Sequence, residues 1–225
     1  MIYEIVKIKR FVFLCVFAFF ISGGISQSFS EGMGYEGNHG RHGEHQDHSA
    51  HRAAIKDKYS DQSYTRSESN YALESIKLLR MDDTLVKLAD EIGNNSPVLL
   101  NFIFTSCSTI CPVLSSTFSD FQEKLGDEAN NITMISISID PQYDRPGKLR
   151  EYAKLFNAGD QWKFYTGSNE QSISAQKAFG VYRGSKMNHI PLTFLKARAS
   201  SKWIRLEGFT SSSDLLREFR NLTNS

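Results

Sequence analysis

From Pro97 to Leu222 the chain alternates short apolar runs with segments of helical spacing, and few folds accept that order. "PVLLNFIF" (97–104) reads as a buried strand, and "VLSSTFSDFQEKLG" (113–126) repeats apolar residues at helical spacing with Gly126 as a stop. "ITMISISI" (132–139) is a second strand, rich in β-branched residues. "RPGKLREYAKLF" (145–156) carries a proline near its first turn and reads as helix, "WKFYTG" (162–167) as a short strand and "NEQSISAQKAFG" (169–180) as helix. "PLTFLKA" (191–197) and "WIRLEGF" (203–209) read as an antiparallel strand pair, and "SSDLLREFRNL" (212–222) as a closing helix. Strands alternating with helices predict one α/β domain over residues 71–225, a central mixed sheet flanked by helices.

The segments before it read differently. Lys7, Lys9 and Arg10 precede the apolar run "FVFLCVFAFFIS", and small residues follow in "GGISQS", so residues 1–26 have the pattern of a signal peptide, with a retained membrane anchor as the alternative. Either way the chain is expected outside the cytoplasm. Cys15 lies within that run and reads as apolar filler. The formal charge of +1 comes with no basic stripe, which excludes the electrostatic attraction that nucleic acid requires.

Residues 27–70 are poor in aliphatic side chains and rich in Gly, Ser, His and charge, the composition of a disordered tether. Within it His39, His42, His45, His48 and His51 recur at every third position. An extended segment with three residues per turn would carry all five imidazoles along one side. Such a tract is either a metal-capturing arm or a solvated spacer.

Cys107 and Cys111 are the remaining cysteines, in "FTSCSTICP" at the junction of a strand with the helix that follows. That end of an α/β sheet is where ligand sites collect, and a helix N-terminus stabilises a thiolate. Three readings fit the pair: a disulfide that pins strand to helix, a thiol–disulfide exchange couple with Cys107 attacking and Cys111 resolving, or two thiolates on one metal ion. Two sulfurs underfill a copper or zinc site. His189, in "GSKMNHIPLTFL", is the one histidine outside the tether and enters a strand that can lie beside the cysteine strand, with Met187 as a soft neighbour.

Taken together, "FTSCSTICP", "SISIDPQYDRPGKLREYAKLF", "WKFYTG" and the histidine of "NHIPLTFL" resemble the Sco/SenC family over roughly residues 75–222. The resemblance implies a thioredoxin-like fold. It implies copper, as Cu(I) or Cu(II), on Cys107, Cys111 and His189, and Asp140 as a residue that fixes the site's loop. It further implies a periplasmic or membrane-attached chaperone that supplies the dinuclear copper site of cytochrome oxidase, or a reductase that keeps that site's cysteines reduced. Its partners would be the oxidase copper subunit, another copper carrier, or a thiol–disulfide reductant. The pattern departs at Asn188, where many members have aspartate, and at Pro191 and Leu192.

Deletion of residues 39–51 is expected to lower the Cu(II) or Zn(II) stoichiometry of the purified protein, measured by equilibrium dialysis; an unchanged stoichiometry would assign the tract to spacing alone.

Overall fold

The computed structural model describes residues 64–93 and 95–223. The signal-like segment 1–26 with Cys15, and the histidine tract, lie outside the described residues. Among those described, no helix is long and apolar enough to cross a membrane.

Eight strands form one sheet: β1 Thr65–Ser69, β2 Lys77–Arg80, β3 Leu85–Lys87, β4 Val98–Ile103, β5 Thr133–Ser138, β6 Trp162–Thr166, β7 Leu192–Lys196 and β8 Trp203–Glu207. The helices are α1 Leu88–Ile92, α2 Ile110–Leu125, α3 Pro146–Leu155, α4 Asn169–Ala178 and α5 Ser212–Thr223. Across the sheet the order is β1-β8-β7-β4-β5-β6-β2-β3. Only β4–β5 and β5–β6 pair in parallel, because α2 and α3 carry the chain back between them. The mixed, helix-flanked sheet expected from the alternation is the one observed.

β4 is buried along its whole length, as a central strand with helices on both faces must be. Its side chains alternate between two apolar clusters. Leu99 and Ile103 join Phe118 and Phe121 of α2, Leu149 of α3 and Leu215 of α5. Val98, Leu100 and Phe102 face the other way, toward Leu88 of α1, Ala175 of α4 and Phe179. Gly126 ends α2 at φ +56°, where a side chain would be strained.

The sheet is wider than the sequence pattern foretold. β1 falls inside the stretch 27–70 read as tether, and β2, β3 and α1 have no counterpart in the pattern. "TRSES" holds no apolar residue to reveal a strand. It is added to the edge by backbone pairing with β8 in the register Thr65↔Glu207 to Ser69↔Trp203, and is secured by Tyr64 Oη donating to Glu218 at 2.6 Å and Arg66 Nε at 3.2 Å.

A chain begun at Tyr71 loses β1 and both bonds to Glu218. It is expected to be on the order of 2 kcal/mol less stable than one begun at Tyr64, and to associate through the uncovered β8 edge. Denaturant melts and size-exclusion chromatography of the two proteins measure this, and coincident melts would show that β1 contributes nothing.

Candidate functional site

β4 ends at Ile103, and six residues, Phe104 to Thr109, lead through a turn into α2. In that turn the backbone N–H of Cys107 donates to the Phe104 carbonyl at 3.1 Å. The N–H of Phe104 donates to Cys111 Sγ at 3.4 Å. Thr109, the residue preceding α2, makes no side-chain cap. The Cys107 sulfur takes that place and accepts from the Cys111 N–H at 3.5 Å, with Thr109 Oγ1 at 3.7 Å. Both cysteines are free; Cys111 is fully buried and Cys107 half-buried.

This arrangement divides one proton unequally. The Cys111 thiol donates to the Cys107 sulfur, and with the helix-start N–H groups it holds the Cys107 thiol down to about 4, against the opposing effect of burial. The hydrogen bond to Cys107, burial and the Cys107 charge push Cys111 well above its ordinary value. Near neutral pH the pair is a half-exposed thiolate beside a buried thiol.

His189 follows a 3-10 turn, Lys186–Asn188, and leads into β7, which pairs with β4 as the sequence suggested. The ring is buried, with Nε2 3.0 Å from the Phe102 carbonyl and its plane edge-on to Phe104 at 6.5 Å between centroids. Burial lowers its pKa, against the pull of the Phe102 carbonyl and the Cys107 charge. A carbonyl only accepts, so the neutral imidazole places its hydrogen on Nε2 and keeps the lone pair on Nδ1. Met187 is 76% exposed and Asn188 Nδ2 donates to the Arg183 carbonyl, so both serve the surface of this loop. Pro191 and Leu192 fit the start of β7, where the Pro191 carbonyl accepts from Gly208.

Asp140 fixes this loop from the far side. Its carboxylate pairs with Lys186, whose ammonium also lies 5.5 Å from the Phe104 ring centroid. The sequence reading missed a second acid, Asp144, which is fully buried. It accepts from Thr105 N at 3.1 Å, Thr105 Oγ1 at 2.5 Å and Ser138 Oγ at 2.6 Å. The one signal available was its place four residues after Asp140, in "DPQYD".

The fold therefore joins Cys107 to Cys111 and seats His189 within electrostatic reach of Cys107. It stops short of a closed ligand set. Among the described residues no three His, Cys, Asp or Glu side chains are grouped to hold a metal ion, and the His189 ring is engaged with Phe102.

Residues 70–221 match the SCO1/SenC family. The chain belongs to that family. A SCO1 protein homolog of Bacillus subtilis is 35% identical over 113 residues, 49% of this chain and 58% of the relative, so the chain spans little more than half of it. Among solved structures, BsSco, described with a disulfide switch and as a member of the Sco family of cytochrome c oxidase assembly proteins, is 26% identical with a TM-score of 0.58. It covers 70% of this chain and 96% of its own. Bradyrhizobium japonicum ScoI with copper bound is 19% identical with a TM-score of 0.56 over 67% of this chain and 99% of its own, a likeness of fold. The fold is thioredoxin-like, as SCO1/SenC membership implied.

The thiolate gives the site a pH signature. Alkylation of Cys107 should follow a titration centred near pH 4 rather than near the ordinary thiol value of 9.0. The depressed pKa contributes stability that is complete above the unfolded thiol's value and is lost as pH falls toward about 4; buried neutral His189, whose pKa is also lowered, destabilises the fold in the same direction. Alkylation rates across pH, read by mass spectrometry, check the midpoint, and a midpoint near 9 would remove the thiolate.

Proposed function

We propose that this SCO1/SenC protein is a copper carrier of the cell envelope. Cys107, Cys111 and His189 take the ion, and the cargo goes to the dinuclear copper site of cytochrome oxidase or to another copper carrier. The observation that carries the reading is the reduced pair itself, two sulfurs in contact at a strand-to-helix junction with a neutral imidazole beside them. Soft thiolates select Cu(I) among the plausible metals, and a third donor of nitrogen type completes a low-coordinate site. What BsSco and ScoI are described as doing supports the same assignment.

The residues divide the work. Cys107, half-buried, is the sulfur an arriving ion or an acceptor's ligand can reach. Cys111 gives up its proton as the cation takes over the charge that held it. His189 offers the ion the lone pair on Nδ1 while Nε2–H donates to the Phe102 carbonyl, and the Asp140–Lys186 pair keeps its loop near the cysteines. Release proceeds by ligand exchange at the half-exposed Cys107 sulfur. Export past the membrane, by cleaved signal or retained anchor, puts the domain where such an acceptor sits, and a thiol–disulfide reductant would keep the pair open.

One observation favours a second reading. A half-exposed low-pKa thiolate beside a buried protonated thiol is also the asymmetry of an exchange couple, Cys107 attacking and Cys111 resolving, suited to reducing another protein's copper-binding cysteines.

An anaerobic Cu(I) titration of the reduced protein against a competing chelator separates the two. One equivalent should bind tightly, be lost in Cys111→Ser and weaken about tenfold or more in His189→Ala. Binding no tighter than in Cys111→Ser would remove the carrier role and leave exchange chemistry, which should survive His189→Ala.

A further inference from the structure

Asp144 is a fully buried carboxylate that neither reading uses. Its three bonded partners all present hydrogens: Thr105 N–H, Thr105 Oγ1–H and Ser138 Oγ–H. Ser138 Oγ is oriented as a donor because it accepts from the Asp140 N–H at 3.0 Å. A carboxylate surrounded by donors is held as an acceptor, and such bonds offset the cost of burying it. Burial raises the Asp144 pKa while the Ser138 and Thr105 bonds oppose that rise.

The position of Thr105 gives these bonds a consequence. It adjoins Phe104, whose N–H holds Cys111 Sγ and whose carbonyl holds the Cys107 N–H. Ser138 ends β5, and its own carbonyl accepts from Ser172 Oγ of α4 at 2.9 Å. Asp144 thus ties the cysteine turn to a part of the sheet that is anchored independently. We propose that Asp144 is a positioning residue: through Thr105 it clamps the Phe104–Cys107 turn and holds the Cys107 and Cys111 sulfurs at bonding approach. The ligands of this clamp are the chain's own groups, so it concerns the pair's geometry and stands whether or not copper binds.

Pinning two thiols together raises the effective concentration of each toward the other, which favours closure of the disulfide. Loosening the clamp should therefore make the Cys107–Cys111 bond easier to reduce. The full-length protein is equilibrated with glutathione buffers of known composition. Each bond formed takes two electrons from the pair and reduces one glutathione disulfide to two thiols. The Cys111 proton and one from solvent end on the two glutathione sulfurs.

Asp144→Asn keeps the shape and removes the charge; Thr105→Val removes the hydroxyl and leaves the charge; Thr105→Ser restores the hydroxyl. The disulfide equilibrium constant is expected to fall about tenfold in Asp144→Asn and in Thr105→Val, and to return with Thr105→Ser. A merely structural role lowers the melting midpoint of oxidised and reduced forms alike and leaves that constant unchanged, which overturns the clamp. A shift in Asp144→Asn with none in Thr105→Val assigns the effect to charge and overturns it as well. Should Asp144→Asn not fold, the Thr105 pair decides alone.

Discussion

The site depends on what happens to the backbone of the central strand where its ladder runs out. β4 pairs with β7 only as far as Asn101↔Thr193 and with β5 as far as Ile103↔Ser138, so the polar groups beyond need other partners in a buried place. Each finds a different residue of the site. The Phe102 carbonyl meets His189, the Phe104 N–H meets Cys111, the Phe104 carbonyl meets the Cys107 N–H, and the Thr105 N–H meets Asp144. One strand end thereby sets three side chains and the backbone of Cys107, drawn from three separate parts of the chain.

The electrostatics follow from that placement. Cys107 sits where α2 offers unsatisfied N–H groups and no side-chain cap, so negative charge is stabilised there; Cys111, one turn on, is sealed under the apolar cluster and keeps a proton. Asp144 lies close enough to oppose a second negative charge at Cys111. A cation relieves that opposition, and so does oxidation to a disulfide. The same physics thus serves either chemistry, and the proton on Cys111 leaves in both.

Two acids four residues apart share the support of this site without sharing a role. Asp140 stays near the surface and pairs with Lys186, which draws the His189 loop toward Phe104. Asp144 goes under the sheet's end and meets only neutral donors among its bonded partners. Composition cannot separate them, because the turn that begins at Pro141 sends one carboxylate outward and the other inward.

Periodicity was enough to read β4 to β8 and the four longer helices, since each buries a face and a buried face leaves a pattern of apolar residues at period 2 or 3.6. The position of Cys107 and Cys111 at a strand-to-helix junction followed from that pattern, and the choice of His189 from there being no other histidine in the domain. β1 was invisible because an edge strand joined by backbone bonds needs no apolar residue, and β2, β3 and α1 were too short to show a period. By itself, then, the sequence determined the alternating fold and singled out Cys107, Cys111 and His189 as the candidates for a soft metal or a disulfide. Only the tertiary structure decided which sulfur carries the charge, that His189 rests on Phe102, and that Asp144 rather than a neighbour holds the cysteine turn. Those outcomes turn on hydrogen bonds between residues up to 87 positions apart, and no local spacing encodes them.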